Sequence, residues 1–174
     1  GAGAITKTAL EATDIDGILY FQNNVQFNLG GFTHLISNNI VNNGSAPNIT
    51  NGSITLDAAT TAQTINIGTY DLTNLTITAN NPAVGGITKN FVAGSTIKLS
   101  GNFTITGSNL GETNELTVNF NTNGLNGPAW PVNLTIDPYC RLRTSAIDAG
   151  DVFFSKFTGV KTLDVNSTVI YDGT

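Results

Sequence analysis

Few side chains in this sequence could do chemistry, and they are scattered. His34, in GGFTHLIS, is the only histidine. No serine and aspartate stand in a pattern that would make it a catalytic base, so a structural histidine is expected. Cys140, in PYCRL, is the only cysteine and reads as a small core residue. Only the neighbouring Arg141 and Arg143 would favour a reactive thiolate there. Two acidic pairs, Glu112/Glu115 and Asp148/Asp151, lie in loops rich in small and polar residues. Glycoside hydrolysis needs two carboxylates about 5–10 Å apart. Neither pair is accompanied by a cluster of Arg, Lys or aromatic residues, so an enzyme is not expected and no catalytic residue is assigned.

Binding residues are scarcely more numerous. Glu11 with Asp14-Ile15-Asp16-Gly17 has the composition of a calcium loop. An EF-hand would require a bidentate glutamate where Val25 stands, which leaves a non-EF Ca2+ site on Glu11, Asp14 and Asp16, against a plain capped turn. Trp130 sits in NGLNGPAWPVN among prolines that fix a loop. With Asn123 and Asn126 nearby it could form a sugar-stacking platform, or it could fold back over the core.

Composition narrows the class. Only 11% of residues are charged, and seven Lys and Arg against twelve Asp and Glu give a net charge of −5. Polarity comes from Asn, Thr, Ser and Gly instead, which suits a β-rich extracellular surface. The seven cations form no patch, so neither nucleic acid nor an anionic membrane surface is an expected partner. No 18-residue apolar run provides for membrane insertion by a helix. One cysteine allows no intrachain disulfide. The chain opens GAGAITKTALEA, without Met or a signal peptide, as expected of mature or excised material.

The elements that must position these residues are strands. Residues 60–78, TTAQTINIGTYDLTNLTIT, alternate Ile65/Ile67 and Leu75/Ile77 with Thr and Asn, with Gly68-Thr69-Tyr70-Asp71 as the bend between. Similar short runs recur from Ile54 to Tyr171, bounded by Gly, Asn, Asp or Pro, and predict an all-β fold. One short helix is expected in TKTALEATDIDG, with Leu10 and Ile15 on one face. Strands this short favour a parallel β-helix, a solenoid with irregular rungs, over an antiparallel β-sandwich. Residues 1–50 are expected to be an N-terminal cap or leading strands, and 51–174 one solenoid-like domain. Ile65, Ile67, Leu75, Ile77, Ile97, Leu99, Phe103 and Ile105 are its expected core.

Two wordings recur. GSITL (52–56), GSTIKL (94–99) and NSTVI (166–170) form one set; NLTIT (74–78), NFTIT (102–106) and NLTID (133–137) form the other. Outward Thr76/Thr78 and Thr104/Thr106 have the form of an ice-binding array. The equivalent pairs Thr96/Lys98 and Thr162/Asp164 interrupt it, so ordinary outward ladders are expected.

These words resemble the repeats of very large Bacteroidetes cell-surface adhesins. Ser167-Thr168-Val169-Ile170-Tyr171-Asp172-Gly173-Thr174, Gln63-Thr64-Ile65, Gly68-Thr69-Tyr70, Asn74-Leu75-Thr76-Ile77 and Gly101-Asn102-Phe103-Thr104-Ile105-Thr106 carry the likeness, over about residues 52–106 and 160–174. The resemblance implies an extracellular or cell-surface location, adhesion to glycans or host surfaces, contact with neighbouring repeats or copies of itself, and no catalytic residues. A self-assembling filament or phage tail-fibre subunit is the alternative, and a polysaccharide-acting β-helix enzyme the third reading.

Overall fold

The computed structural model describes residues 5–22, 25–43, 48–66, 68–93, 96–121, 124–125, 132–145 and 157–172. Among them the chain winds through six turns of three short strands and a seventh of two. The first turn is β1 (Ile5–Thr8), β2 (Asp14–Ile15) and β3 (Leu19–Phe21), and the second β4 (Val25–Asn28), β5 (Thr33–Ile36) and β6 (Ile40–Asn42). The third is β7 (Asn48–Thr50), β8 (Ser53–Leu56) and β9 (Gln63–Ile65), and the fourth β10 (Thr69–Leu72), β11 (Leu75–Asn80) and β12 (Ile87–Phe91). The fifth is β13 (Thr96–Leu99), β14 (Asn102–Ser108) and β15 (Leu116–Asn119), and the sixth β16 (Gly124–Leu125), β17 (Asn133–Ile136) and β18 (Cys140–Thr144). The last contributes β19 (Lys161–Leu163) and β20 (Thr168–Tyr171).

Every third strand stacks on its counterpart. Face A is β1-β4-β7-β10-β13-β16, face B runs from β2 to β19 and face C from β3 to β20. Each described pairing is parallel; β11 lies between β8 and β14, for example. This is the parallel β-helix, and the antiparallel sandwich does not occur. The N-terminal strands continue the same three faces: β4 pairs with β7 and β5 with β8.

Turn length is not constant. Ile5 pairs with Val25, 20 residues on, whereas Tyr70 pairs with Ile97, 27 residues on. Longer turns absorb their extra residues in corners such as 81–86 and 109–115, which join β11 to β12 and β14 to β15. Several corners need left-handed backbone, and asparagine supplies it at Asn51, Asn81, Asn109 and Asn121. Its short side chain makes it one of the few non-glycine residues that adopts this geometry readily. Part of the asparagine excess is thereby explained.

Alternation places one apolar set inside. Ile65, Leu75, Ile77, Ile97, Leu99, Phe103 and Ile105 are all buried as expected; Ile67 lies outside the described residues. Each such side chain contributes about 1.5–3 kcal/mol by leaving water. Aromatic rings continue the interior, with Phe103 between Phe120 at 5.6 Å and Phe157 at 6.0 Å.

Three expectations are corrected. No helix occurs among the described residues: TKTALEATDIDG carries β1 and β2, Leu10 is exposed, and Ile15 packs partly against the core. Thr69–Leu72 is a strand rather than a bend, because Tyr70 and Leu72 both face inward. The GSITL, GSTIKL and NSTVI set is no repeat, since its members lie on faces B, A and C. The second set is a true one: Leu75, Phe103 and Leu134 stack in register on face B, as do Ile77, Ile105 and Ile136.

Candidate functional site

The asparagine that opens each NLTIT-like word has a structural task. Asn74 Oδ1 accepts from the Asn102 backbone N–H at 2.8 Å and from Asn102 Nδ2 at 3.1 Å. Asn102 Oδ1 accepts from Asn133 Nδ2 at 2.9 Å, and Asn133 Oδ1 from the Val160 N–H at 2.8 Å. The chain of amides runs up the corner before face B and satisfies backbone donors that the corner leaves unpaired. Gly101 fits beneath it because a Cβ there would lie 2.5 Å from Asn74 Oδ1. Asn102→Ala is expected to lower stability by about 1–2 kcal/mol, read as a lower urea midpoint, by breaking the ladder in the middle.

Outside the ladder, face B presents one unbroken column of threonines. Thr55, Thr76, Thr104, Thr135 and Thr162 are register neighbours across five turns. Parallel strands set them about 4.8 Å apart. The adjacent outward column holds Thr78 and Thr106 in register, and Thr106 Oγ1 donates to Asp137 Oδ2. Asp57 and Asp164, which follow β8 and β19, extend that second column. Lys98 belongs to face A, so the lysine does not interrupt this surface; the aspartates do.

The interior holds an arrangement that sequence reading missed. In ITKNF (87–91) the alternation buries Ile87, Lys89 and Phe91 together. Lys89 is fully buried beside Gln63, its register partner on β9. Its Nζ donates to Gln63 Oε1 at 2.7 Å, to the Ala58 carbonyl at 2.6 Å and to the Thr61 carbonyl at 3.4 Å. Gln63 Nε2 in turn donates to the Ile36 and Asn38 carbonyls, both at 2.8 Å. Burial pushes the Lys89 amine down to about 8, and the negative charge of Asp57 partly opposes the fall. The only sequence signal was a lysine at an inward position of an alternating run.

His34 is buried with Nε2 3.1 Å from the Leu29 carbonyl and its ring against Phe27, as expected of a structural histidine. Cys140 is buried, and desolvation, aided by Asp137, pushes its thiol up to about 12. That removes the thiolate reading. Glu115 has a single cationic partner among the described residues: Arg141, paired in register with Thr117 one turn away, reaches it with Nη2–Oε1 at 2.8 Å. Glu112 is exposed, and Asp148 and Asp151 lie outside the described residues.

Glu11, Asp14 and Asp16 are all exposed on the first turn. Among the described residues no group of three His, Cys, Asp or Glu side chains is placed to hold a metal ion. Trp130, Asn126 and Asn123 lie outside the described residues. Comparison with protein-family models, with curated proteins and with solved structures returns no match.

Proposed function

We propose that this chain is a non-enzymatic structural and adhesive module of an extracellular or bacterial cell-surface fibre. The carrying observation is the stack itself: apolar columns inside, an amide ladder at one corner, and a threonine column on face B that continues over five turns. Such a rod sets length and presents flat faces without disulfides. Glycans or a host surface would meet a face or a corner, and Trp130 is the residue to test for a sugar. Glycan screening with Trp130 fluorescence as the readout tests that part.

The alternative, a self-assembling filament or tail-fibre subunit, draws on the exposed apolar residues of the last described turn, Val160, Leu163 and Val165. Two lysines oppose it. Lys7 stands below Phe27, Ile49 and Tyr70 in the inward column of face A, at the first turn. Lys161 stands above Leu134 and Phe103 in an inward column of face B, at the last. A charged residue at an edge blocks pairing with another copy. Lys7 also lines an apolar opening of about 200 Å³ with Leu19, Phe21 and Phe27.

Light scattering during size-exclusion chromatography, repeated over days, decides between the two. A stable monomer supports the self-contained module; a trimer or a growing polymer moves support to the assembly subunit. Lys7→Ile combined with Lys161→Leu is expected to convert the monomer into larger, concentration-dependent species. A double variant that stays monomeric would show that the lysines are not what separates the ends.

A further inference from the structure

The buried Lys89–Gln63 pair holds chemistry that a rod does not require. We propose that Lys89 Nζ and Gln63 Cδ join in an intramolecular isopeptide bond, releasing ammonia and tying the third turn to the fourth. The inference stands independently of the adhesive reading.

Geometry carries it. Nζ lies 2.7 Å from Gln63 Oε1. The carbonyl carbon is one C=O bond further, about 1.2 Å, so the attacked atom is within about 4 Å of the amine. The carboxamide cannot turn away, because its Nε2 is anchored on the Ile36 and Asn38 carbonyls. Parallel pairing of β9 and β12 holds both residues as direct neighbours. Both side chains are buried, which keeps out the water that would hydrolyse the product. Two groups fixed at contact distance react as if at very high concentration.

The step balances within the pair. Neutral Nζ attacks Cδ and a C–N bond forms. The Cδ–Nε2 bond breaks, and the proton that Nζ gives up leaves on Nε2 as ammonia. One primary amide and one amine become one secondary amide and ammonia, with no change of oxidation state. The nucleophile must be the free amine; burial lowers the amine to about 8, so the free form prevails only above that pH. Asp57, next to Ala58 and steadied by Ser37 Oγ at 2.9 Å, is the carboxylate whose charge reaches Lys89.

Intact-mass spectrometry of the purified chain tests this, directly and after incubation at about pH 9, where the amine is largely free. The expected mass is one ammonia below the sequence mass, and digestion should yield a branched peptide joining the Gln63 and Lys89 segments. Lys89→Arg and Gln63→Leu should both restore the full mass. Full sequence mass under both conditions overturns the proposal. So does an ammonia loss that persists in Lys89→Arg, which would place it at an asparagine such as the one before Gly52. The branched peptide is sought in the unmodified sequence, so the test does not depend on any variant folding.

Discussion

Ile77→Asp is expected to abolish the folded state. Ile77 is fully buried at the centre of face B, with Leu56 below it and Ile105 above. No described cation shares that inward column, which runs Ile15, Ile36, Leu56, Ile77, Ile105, Ile136 and Leu163. An isolated carboxylate there must lose its hydration without a partner or take up a proton, and either course costs several kcal/mol. The isoleucine's own burial, about 2–3 kcal/mol, is lost as well. Together these approach the whole stability of a typical domain, about 5–15 kcal/mol. Circular dichroism and urea titration should show no cooperative transition. A variant that still melts cooperatively near the wild-type temperature would mean that Ile77 does not face the core.

Phe103→Ala should leave a folded but much weaker module. Phe103 is fully buried, stacked within 12° of parallel on Phe157 and tilted against Phe120. Truncation leaves a cavity that the two neighbouring rings cannot close without moving their own backbone. Aromatic-to-alanine changes in such cores cost about 3–5 kcal/mol. At this chain length each kcal/mol lowers the melting temperature by about 2–4 °C, so a fall of about 6–20 °C is expected in calorimetry. A shift below about 3 °C would show that the rings do not pack as a unit. The two variants differ in kind: Asp adds an uncompensated charge, whereas Ala removes contacts and leaves the interior dry.

The two results together would locate the source of stability. A solenoid turn touches only its neighbours, so a defect at one level spreads along the stack only through adjacent turns. Ile77 and Phe103 sit on consecutive turns, and their level is the one at which β11 and β14 pair over six residues, from Leu75↔Phe103 to Asn80↔Ser108. Damage there separates the first turns from the last. Equivalent changes at the first turn, where Ile5 and Tyr20 are already exposed, should cost far less.

Local chemistry alone made several features legible. Alternation of Ile, Leu and Phe with Thr and Asn marked the inward side of β11, β13 and β14, because a strand's side-chain period of two is written in consecutive residues. The scarcity of charge and the surplus of Asn and Thr pointed to a β-rich surface, and the recurrence of NLTIT-like words marked a column of stacked turns. Pairing was not legible, because partners lie 20 to 31 residues apart, from Ile5↔Val25 to Phe103↔Leu134, and no local signal sets that spacing. Hence GSITL and NSTVI read alike yet occupy different faces, and residues 68–71 read as a bend although a strand begins at Thr69. The strand around Lys89 went unmarked because a cation at an inward position breaks the alternation, whereas Cys140–Thr144 alternates with both arginines outward. Only the tertiary structure decided that Lys89 points inward and meets Gln63, since its partners come from β9 and from the corner between β8 and β9, 26 to 31 residues earlier in the chain.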